Sequence, residues 1–243
     1  MKVLVSQQTP SNPAPYESLQ KKYGAQIDFK PFFLVEPLSA KEFRAEKINL
    51  PDYTAIVFSS RHAIDAYFKL AEEMRFKVPE TMKYFCTTEA VAMYLQKHIV
   101  YRKRKIFYGD GSPKSVVALV TAKHKAEKFL IASAAGTNTE PFTSLFEAAK
   151  LDYTVGTLVK SVSQDLHDIN PADYGVIVMY NPSDVISLKE NFPGFTQGDT
   201  RFISFGRSVV PAMEEAGLTI EVKGPTPEAP SAAKAIEIYL ASR

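Results

Sequence analysis

Short runs of consecutive apolar residues alternate along this chain with stretches in which apolar residues recur every three to four positions. The continuous runs are typical of buried parallel strands, and they occupy residues 2–6, 52–60, 83–88, 128–132, 173–181 and 202–208. The stretches with helical spacing occupy residues 14–23, 62–74, 140–149 and 183–191. Strands that alternate with helices predict parallel, doubly wound sheets with right-handed crossovers, and therefore an α/β protein.

The same pattern occurs twice. Residues 52–60 align with residues 173–181, and each stretch is a β-branched apolar run that ends in small polar residues. Each half of the chain therefore holds three strand-loop-helix units. Ligands of such sheets bind beyond the carboxyl ends of the strands, so any site is expected in the loops after Val5, Phe58, Phe85, Ile131, Met179 and Phe205.

Length and composition fit a globular protein of two domains. The chain has 243 residues, of which 45% are hydrophobic and 23% are charged. It has no apolar run of about 18 residues, so we predict no membrane segment. The N-terminal apolar run turns polar after Val5, unlike a secretory signal, and the single cysteine, Cys86, cannot form an internal disulfide. These features predict a cytoplasmic protein.

The sequence gives little support for a phosphate-binding loop, a metal site or a catalytic nucleophile. The Gly109-Asp110-Gly111 segment lacks the spacing of a phosphate loop, and the following Pro113 favours a helix start. The four histidines have no metal-ligand spacing, so we predict neither a metal nor another cofactor. Ser60 is not in a nucleophile elbow, and Cys86 is more typical of a packed core thiol than of a nucleophile.

One basic segment, residues 97–105, raises the question of nucleic-acid binding. The formal net charge is only +2, and no second basic patch accompanies the segment. A solvated edge between a helix and a strand is the favoured interpretation, so we predict no nucleic-acid partner.

Four motifs occur in a fixed order along the chain. They are the strand-end turns at residues 58–63 and 179–183, a glycine turn at Gly206 before a helix that ends in Gly217-Leu218, and the proline-rich segment 225–231. In this order and over the whole length, the chain resembles the uroporphyrinogen-III synthase family. Residues 83–105 are especially similar to the Bacteroidetes branch of that family.

The resemblance implies two doubly wound parallel-sheet domains joined by two extended inter-domain strands, with a ligand cleft between the domains. Residues 1–30 and 163–243 would form one discontinuous domain, residues 38–152 the other, and residues 31–37 and 153–162 the crossings. The implied activity is that of a lyase without a cofactor. It cyclises hydroxymethylbilane, with loss of water and inversion of the last ring, in heme biosynthesis. We expect a monomer that acts by positioning this tetrapyrrole substrate.

The resemblance assigns no catalytic side chain, but it implies that small polar and basic residues at the strand ends bind the substrate's carboxylates. These candidates are Ser6, Ser59, Ser60, Arg61, Thr88, Lys160, Asn181, Ser183, Arg207 and Ser208.

Three positions depart from the family pattern. Val159 stands where a tyrosine is usual, Val209 where a threonine is usual, and Asn181 where a serine is usual. A diverged, non-catalytic paralogue that binds a tetrapyrrole or another polyanion is therefore the main alternative. An unrelated two-domain binder of small molecules is a third possibility, which the missing export signal disfavours.

Overall fold

A computed structural model describes residues 1–243 and confirms the α/β class. In chain order the strands and helices are β1 (Lys2–Val5), α1 (Ala14–Tyr23), β2 (Gln26–Phe29), β3 (Phe33–Pro37), α2 (Ala40–Ala45), β4 (Ala55–Phe58), α3 (Arg61–Glu73), β5 (Lys83–Cys86), α4 (Glu89–Tyr94), β6 (Ile106–Tyr108), α5 (Pro113–Lys123), β7 (Lys128–Ala134), α6 (Glu140–Ala148), β8 (Asp152–Ser163), β9 (Val176–Met179), α7 (Pro182–Asn191), β10 (Arg201–Phe205), α8 (Val209–Glu215), β11 (Ile220–Gly224) and α9 (Ala232–Ala241). None of the helices is both long enough and apolar enough to cross a membrane.

The chain divides into two compact units. Unit 1 comprises Met1–Leu34 and Val162–Arg243, and unit 2 comprises Val35–Ser161. The sequence-based boundaries end the first segment at residue 30 and resume it at residue 163. The strands at the two predicted crossings, β3 and β8, both belong to the sheet of unit 2.

Unit 1 is built on a five-stranded sheet in the order β11-β10-β9-β1-β2, and its strand pairs are parallel. Alternate residues of each strand point to opposite faces. Val3 and Val5 of β1 therefore pack on the side of α1 and α9. Leu4 packs on the side of α7 and α8. Both faces are covered, which explains why the strands are continuous apolar runs.

Unit 2 is built on a six-stranded sheet in the order β3-β8-β7-β4-β5-β6. Strands β4, β5, β6, β7 and β8 pair in parallel. Ile56 and Phe58 pack against α3 on one face. Ala55 and Val57 pack with α5 and α6 on the other. Pro113 is the first residue of α5, as the sequence predicts, because a proline there forfeits no helical hydrogen bond.

Candidate functional site

The carboxyl ends of β4 and β7 in unit 2 border a cavity of about 370 Å³. Its polar lining comes from Ser59 and Ser60 after β4, from Ser133 in β7, and from the loop 137–139 before α6. Val159 of β8 forms part of the apolar lining. Parallel sheets place their sites at this edge, so the cavity lies where the topology predicts a ligand.

The turn between β4 and α3 leaves two backbone donors free. Ser60 is the residue that caps α3, and its hydroxyl accepts a hydrogen bond from the Ala63 amide at 3.1 Å. The amides of Ser59 and Ser60 themselves donate to no group of the protein. Free amides at the start of a helix favour an anion, because the helix dipole adds partial positive charge there.

The loop between β7 and α6 adds hydroxyl and amide groups to the same cavity. Gly136 takes a left-handed conformation at φ 73°, and the Asn138 side chain accepts a hydrogen bond from the Glu140 amide at 2.9 Å. Thr139 precedes α6, but its side chain does not cap the helix. The Thr139 hydroxyl is therefore free to meet a ligand.

The equivalent turn of unit 1, between β9 and α7, is arranged differently. The Asp184 carboxylate accepts hydrogen bonds at Oδ2 from the amides of Tyr180 at 2.8 Å and Asn181 at 2.9 Å. Asp184 is fully buried. Burial raises the pKa of the Asp184 carboxyl from 3.8 to about 6, although the two amides act in the opposite direction. This turn already contains a carboxylate.

The family model described as "Uroporphyrinogen-III synthase HemD" matches residues 14–234 of the chain. The chain belongs to the uroporphyrinogen-III synthase family. This family comprises hydro-lyases that cyclise hydroxymethylbilane in porphyrin and heme biosynthesis.

Solved structures of two family members share the fold. The uroporphyrinogen-III synthetase of Helicobacter pylori is 13% identical, with a TM-score of 0.59, over 100% of this chain and 99% of its own. A mutant uroporphyrinogen III synthase of Thermus thermophilus is 12% identical, with a TM-score of 0.56, over 100% of both chains. No curated protein matches the chain.

Two of the predicted substrate-binding residues of this synthase-family chain, Ser59 and Ser60, line the cavity of unit 2. Three others in the same unit do not. Arg61 lies over the Tyr94 ring at 5.4 Å from its centroid, and Thr88 caps α4. Lys160 forms an ion pair with Glu42, which holds the pKa of that carboxyl near 2.

The other predicted residues belong to unit 1. Ser6 is buried after β1, and Asn181 and Ser183 begin α7. Arg207 and Ser208 are exposed in the turn before α8. A Cβ on the preceding residue, Gly206, would lie 2.4 Å from the Tyr180 carbonyl oxygen, so this turn needs glycine for its close approach to β9.

Two of the three departures from the synthase pattern, Val159 and Val209, have different surroundings. Val159 is 3% exposed and lines the cavity, whereas Val209 is buried in the core of unit 1 with α7 and α8. Cys86 is also buried, and the pKa of its thiol is raised to about 12, so it is protonated at neutral pH.

The sequence analysis includes the loop after β7 among the expected site loops, but it names none of the side chains there that line the cavity. Thr137, Asn138 and Thr139 form a polar cluster next to Gly136, directly before a helix. That combination marks a strand-to-helix turn and was the available signal.

Proposed function

We propose that this chain catalyses the closure of hydroxymethylbilane to uroporphyrinogen III, and that it does so by positioning. In this reaction the terminal hydroxyl leaves as water, and the substituted carbon of the last ring attacks the resulting azafulvene. A spiro intermediate then reopens and recloses with that ring inverted. The azafulvene is already reactive, so the protein chiefly has to hold the substrate folded and suppress the uninverted closure.

The observation that carries this proposal is the lining of the unit 2 cavity. It contains serine, threonine and asparagine side chains among apolar ones, and it contains no Asp, Glu, His, Lys, Arg, Tyr or Cys. A side chain that titrates near neutral pH is therefore not available as an acid or a base there. Hydroxyls and free amides are suited to binding carboxylates and to orienting a reactive intermediate.

We further propose that one substrate carboxylate binds at the β4–α3 turn. The donors would be the free amides of Ser59 and Ser60, with the hydroxyl of Thr139 from the opposite loop. Hydrogen bonds to an ionised acceptor are about twice as strong as neutral ones, so a few such donors can fix the orientation of a pyrrole ring.

The test is an assay with hydroxymethylbilane generated in situ, in which the type III and type I products are separated after oxidation. The expected result is type III product in clear excess over a reaction without the protein. In that control reaction hydroxymethylbilane closes spontaneously to the type I product. Substitution of Ser59 and Ser60 by alanine should leave the free amides in place and lower the rate only modestly. A wild-type protein that yields only type I product would contradict the proposal.

We also propose that the chain acts as a cytoplasmic monomer without a nucleic-acid partner. The small net charge of +2 supports the last point, because nucleic-acid affinity depends on many clustered cations. Light scattering after gel filtration should give a mass close to 27.0 kDa. A mass of twice that value would contradict the monomer.

A further inference from the structure

The β4–α3 and β9–α7 turns have a similar backbone conformation at the residue before the helix, but different groups meet their amides. Ser60, before α3, has φ −149° and ψ 157°, and Asn181, before α7, has φ −133° and ψ 154°. In each helix the third residue points back toward the turn, and that residue is Ala63 in α3 and Asp184 in α7. The two turns are therefore equivalent in position and in their backbone donors.

Asp184 fills the turn of unit 1 with a carboxylate from the protein itself. Its Oδ2 accepts from the Tyr180 and Asn181 amides, which are the counterparts of the free Ser59 and Ser60 amides. The methyl group of Ala63 cannot do the same in unit 2. The hydrogen bonds of Asp184 thus show directly that this turn geometry accommodates a carboxylate.

Asp184 lies in surroundings that disfavour an ionised side chain. Its Oδ1 is buried and has no hydrogen-bond partner, and neither have the hydroxyls of Ser6 and Ser204. Both serines lie on the sheet face that packs against α7, two residues after Leu4 and Phe202. The Ser6 hydroxyl faces the carboxyl and lowers its pKa, but without normal hydrogen-bond geometry.

A charged group buried with an unpaired oxygen lowers stability, whereas a hydroxyl caps a helix without that cost. Ser60 caps α3 in this way. Asp184 is the third residue of a capping box at the start of α7, in which its carboxylate accepts from the Asn181 amide. The additional hydrogen bond from the Tyr180 amide and the full burial of Asp184 go beyond that capping role.

We propose that Asp184 is an internal occupant of a carboxylate-binding turn, and that it closes the β9–α7 turn to carboxylates of the substrate. The substrate's carboxylates would then be recognised at the open β4–α3 turn and not at its unit 1 counterpart. Asp184 is in this sense a specificity-determining residue. Recognition of the substrate's carboxylates at the β4–α3 turn rests on the proposed function, whereas the closure of the β9–α7 turn by Asp184 does not.

The test uses sodium propionate, which has the same carboxylate as the substrate's side chains, and protein with 15N-labelled serine, tyrosine and asparagine. In the wild type at pH 7.5, propionate should shift the backbone amide signals of Ser59 and Ser60 but not those of Tyr180 and Asn181. In Asp184→Ala, the Tyr180 and Asn181 signals should also shift and should saturate. Sodium chloride at equal ionic strength controls for screening.

The reciprocal variant, Ala63→Asp, keeps the proposal testable if Asp184→Ala does not fold. It should abolish the propionate-induced shifts of Ser59 and Ser60 and lower the rate of type III formation at least about 10-fold. Ala63→Asn has the same volume without the charge and should do less on both measures.

Two results would overturn the closure by Asp184. The first is a Tyr180 and Asn181 response to propionate in the wild type, and the second is a folded Asp184→Ala without that response. Absence of type III product from the wild type would instead contradict the proposed function. The amide signals are measured without any tetrapyrrole, so the two failures are distinguishable.

Discussion

The β4–α3 turn of unit 2 and the β9–α7 turn of unit 1 are the same structural motif in an open and a closed form. Both follow a buried parallel strand, and both present two backbone amides at the start of a helix. Ala63 leaves those amides free in unit 2, and Asp184 occupies them in unit 1. The repeated fold thus supplies the donors twice, but one side chain decides whether a ligand can use them.

A second position reinforces the difference. Ser59 of unit 2 corresponds to Tyr180 of unit 1, whose ring packs edge-on against Phe205 at 5.7 Å between centroids. The small Ser59 side chain lines the cavity of unit 2, whereas a large aromatic side chain stands at the equivalent position of unit 1. Polarity and volume therefore change together between the two turns.

The largest effect is expected from a negative charge placed at the open turn. In Ser59→Glu, a carboxylate beside the free amides should repel substrate carboxylates, and like charges in contact cost several kcal/mol. We expect product affinity to fall at least about 100-fold, which corresponds to about 2.7 kcal/mol. Fluorescence titration with uroporphyrin III, the fluorescent oxidised form of the product, measures this change.

The matched control for that variant is Ser183→Glu, which adds the same charge beside the closed turn. Its effect on affinity should be below about 3-fold, because the donors there are already occupied. Equal losses in the two variants would mean that the turns do not differ in function, and the comparison would fail.

The repeat itself was predictable because buried parallel strands leave a strong sequence signal. The continuous runs around Ile56 and Ile177 lie at β4 and β9, and the helical spacing after them matches α3 and α7. The open and closed states of the turns were not predictable. They depend on whether the side chain of the third helical residue turns back to the two amides just before the helix, as that of Asp184 does and that of Ala63 cannot.

The surroundings of Lys160 were not predictable for a different reason. The sequence analysis predicts Lys160 as a substrate-binding residue, but strand alternation directs its side chain away from the face of Val159. Its ammonium pairs with Glu42, a residue far away in sequence. Long-range partners of this kind leave no local signal in a single chain, so the role of Lys160 in substrate binding stays a prediction.

The second-largest effect is a change with pH in the free energy of unfolding, and it arises from Asp184 in the closed turn. The folded-state pKa of Asp184 is raised from 3.8 to about 6 by burial, so the folded protein holds this proton more tightly than the unfolded chain does. The resulting stabilisation is fully present below pH 3.8 and is lost as the pH rises through about 6. Between pH 4 and pH 7 the loss should be about 2 kcal/mol.

Asp184→Asn isolates this contribution because it keeps the shape and cannot ionise. Urea unfolding of both proteins at pH 4 and pH 7 gives the difference in free energy of unfolding, in which the titration of shared groups cancels. The wild type should lose about 2 kcal/mol relative to the variant as the pH rises. A difference that does not change with pH would show that Asp184 titrates as an exposed carboxyl does.

The smallest effect is expected from a substitution at Val159, which lines the unit 2 cavity where the family usually has a tyrosine. Val159 lines a cavity of about 370 Å³, so the larger ring of Val159→Tyr has space to enter it. General acid–base help typically contributes ~10²–10⁴-fold, but no titratable side chain lines this cavity to orient a new phenol. We therefore expect the rate of type III formation to rise by less than about 10-fold or to stay unchanged.

The control variant, Val159→Phe, has the same ring without the hydroxyl and so separates an effect of the phenol from an effect of packing. Both variants are compared with the wild type at equal substrate supply. If Val159→Tyr gains activity and Val159→Phe does not, the phenol assists loss of the leaving water. If the wild type forms only type I product and Val159→Tyr brings no gain, positioning at this cavity does not produce the ring inversion, and a binding protein without turnover becomes the better account of the chain.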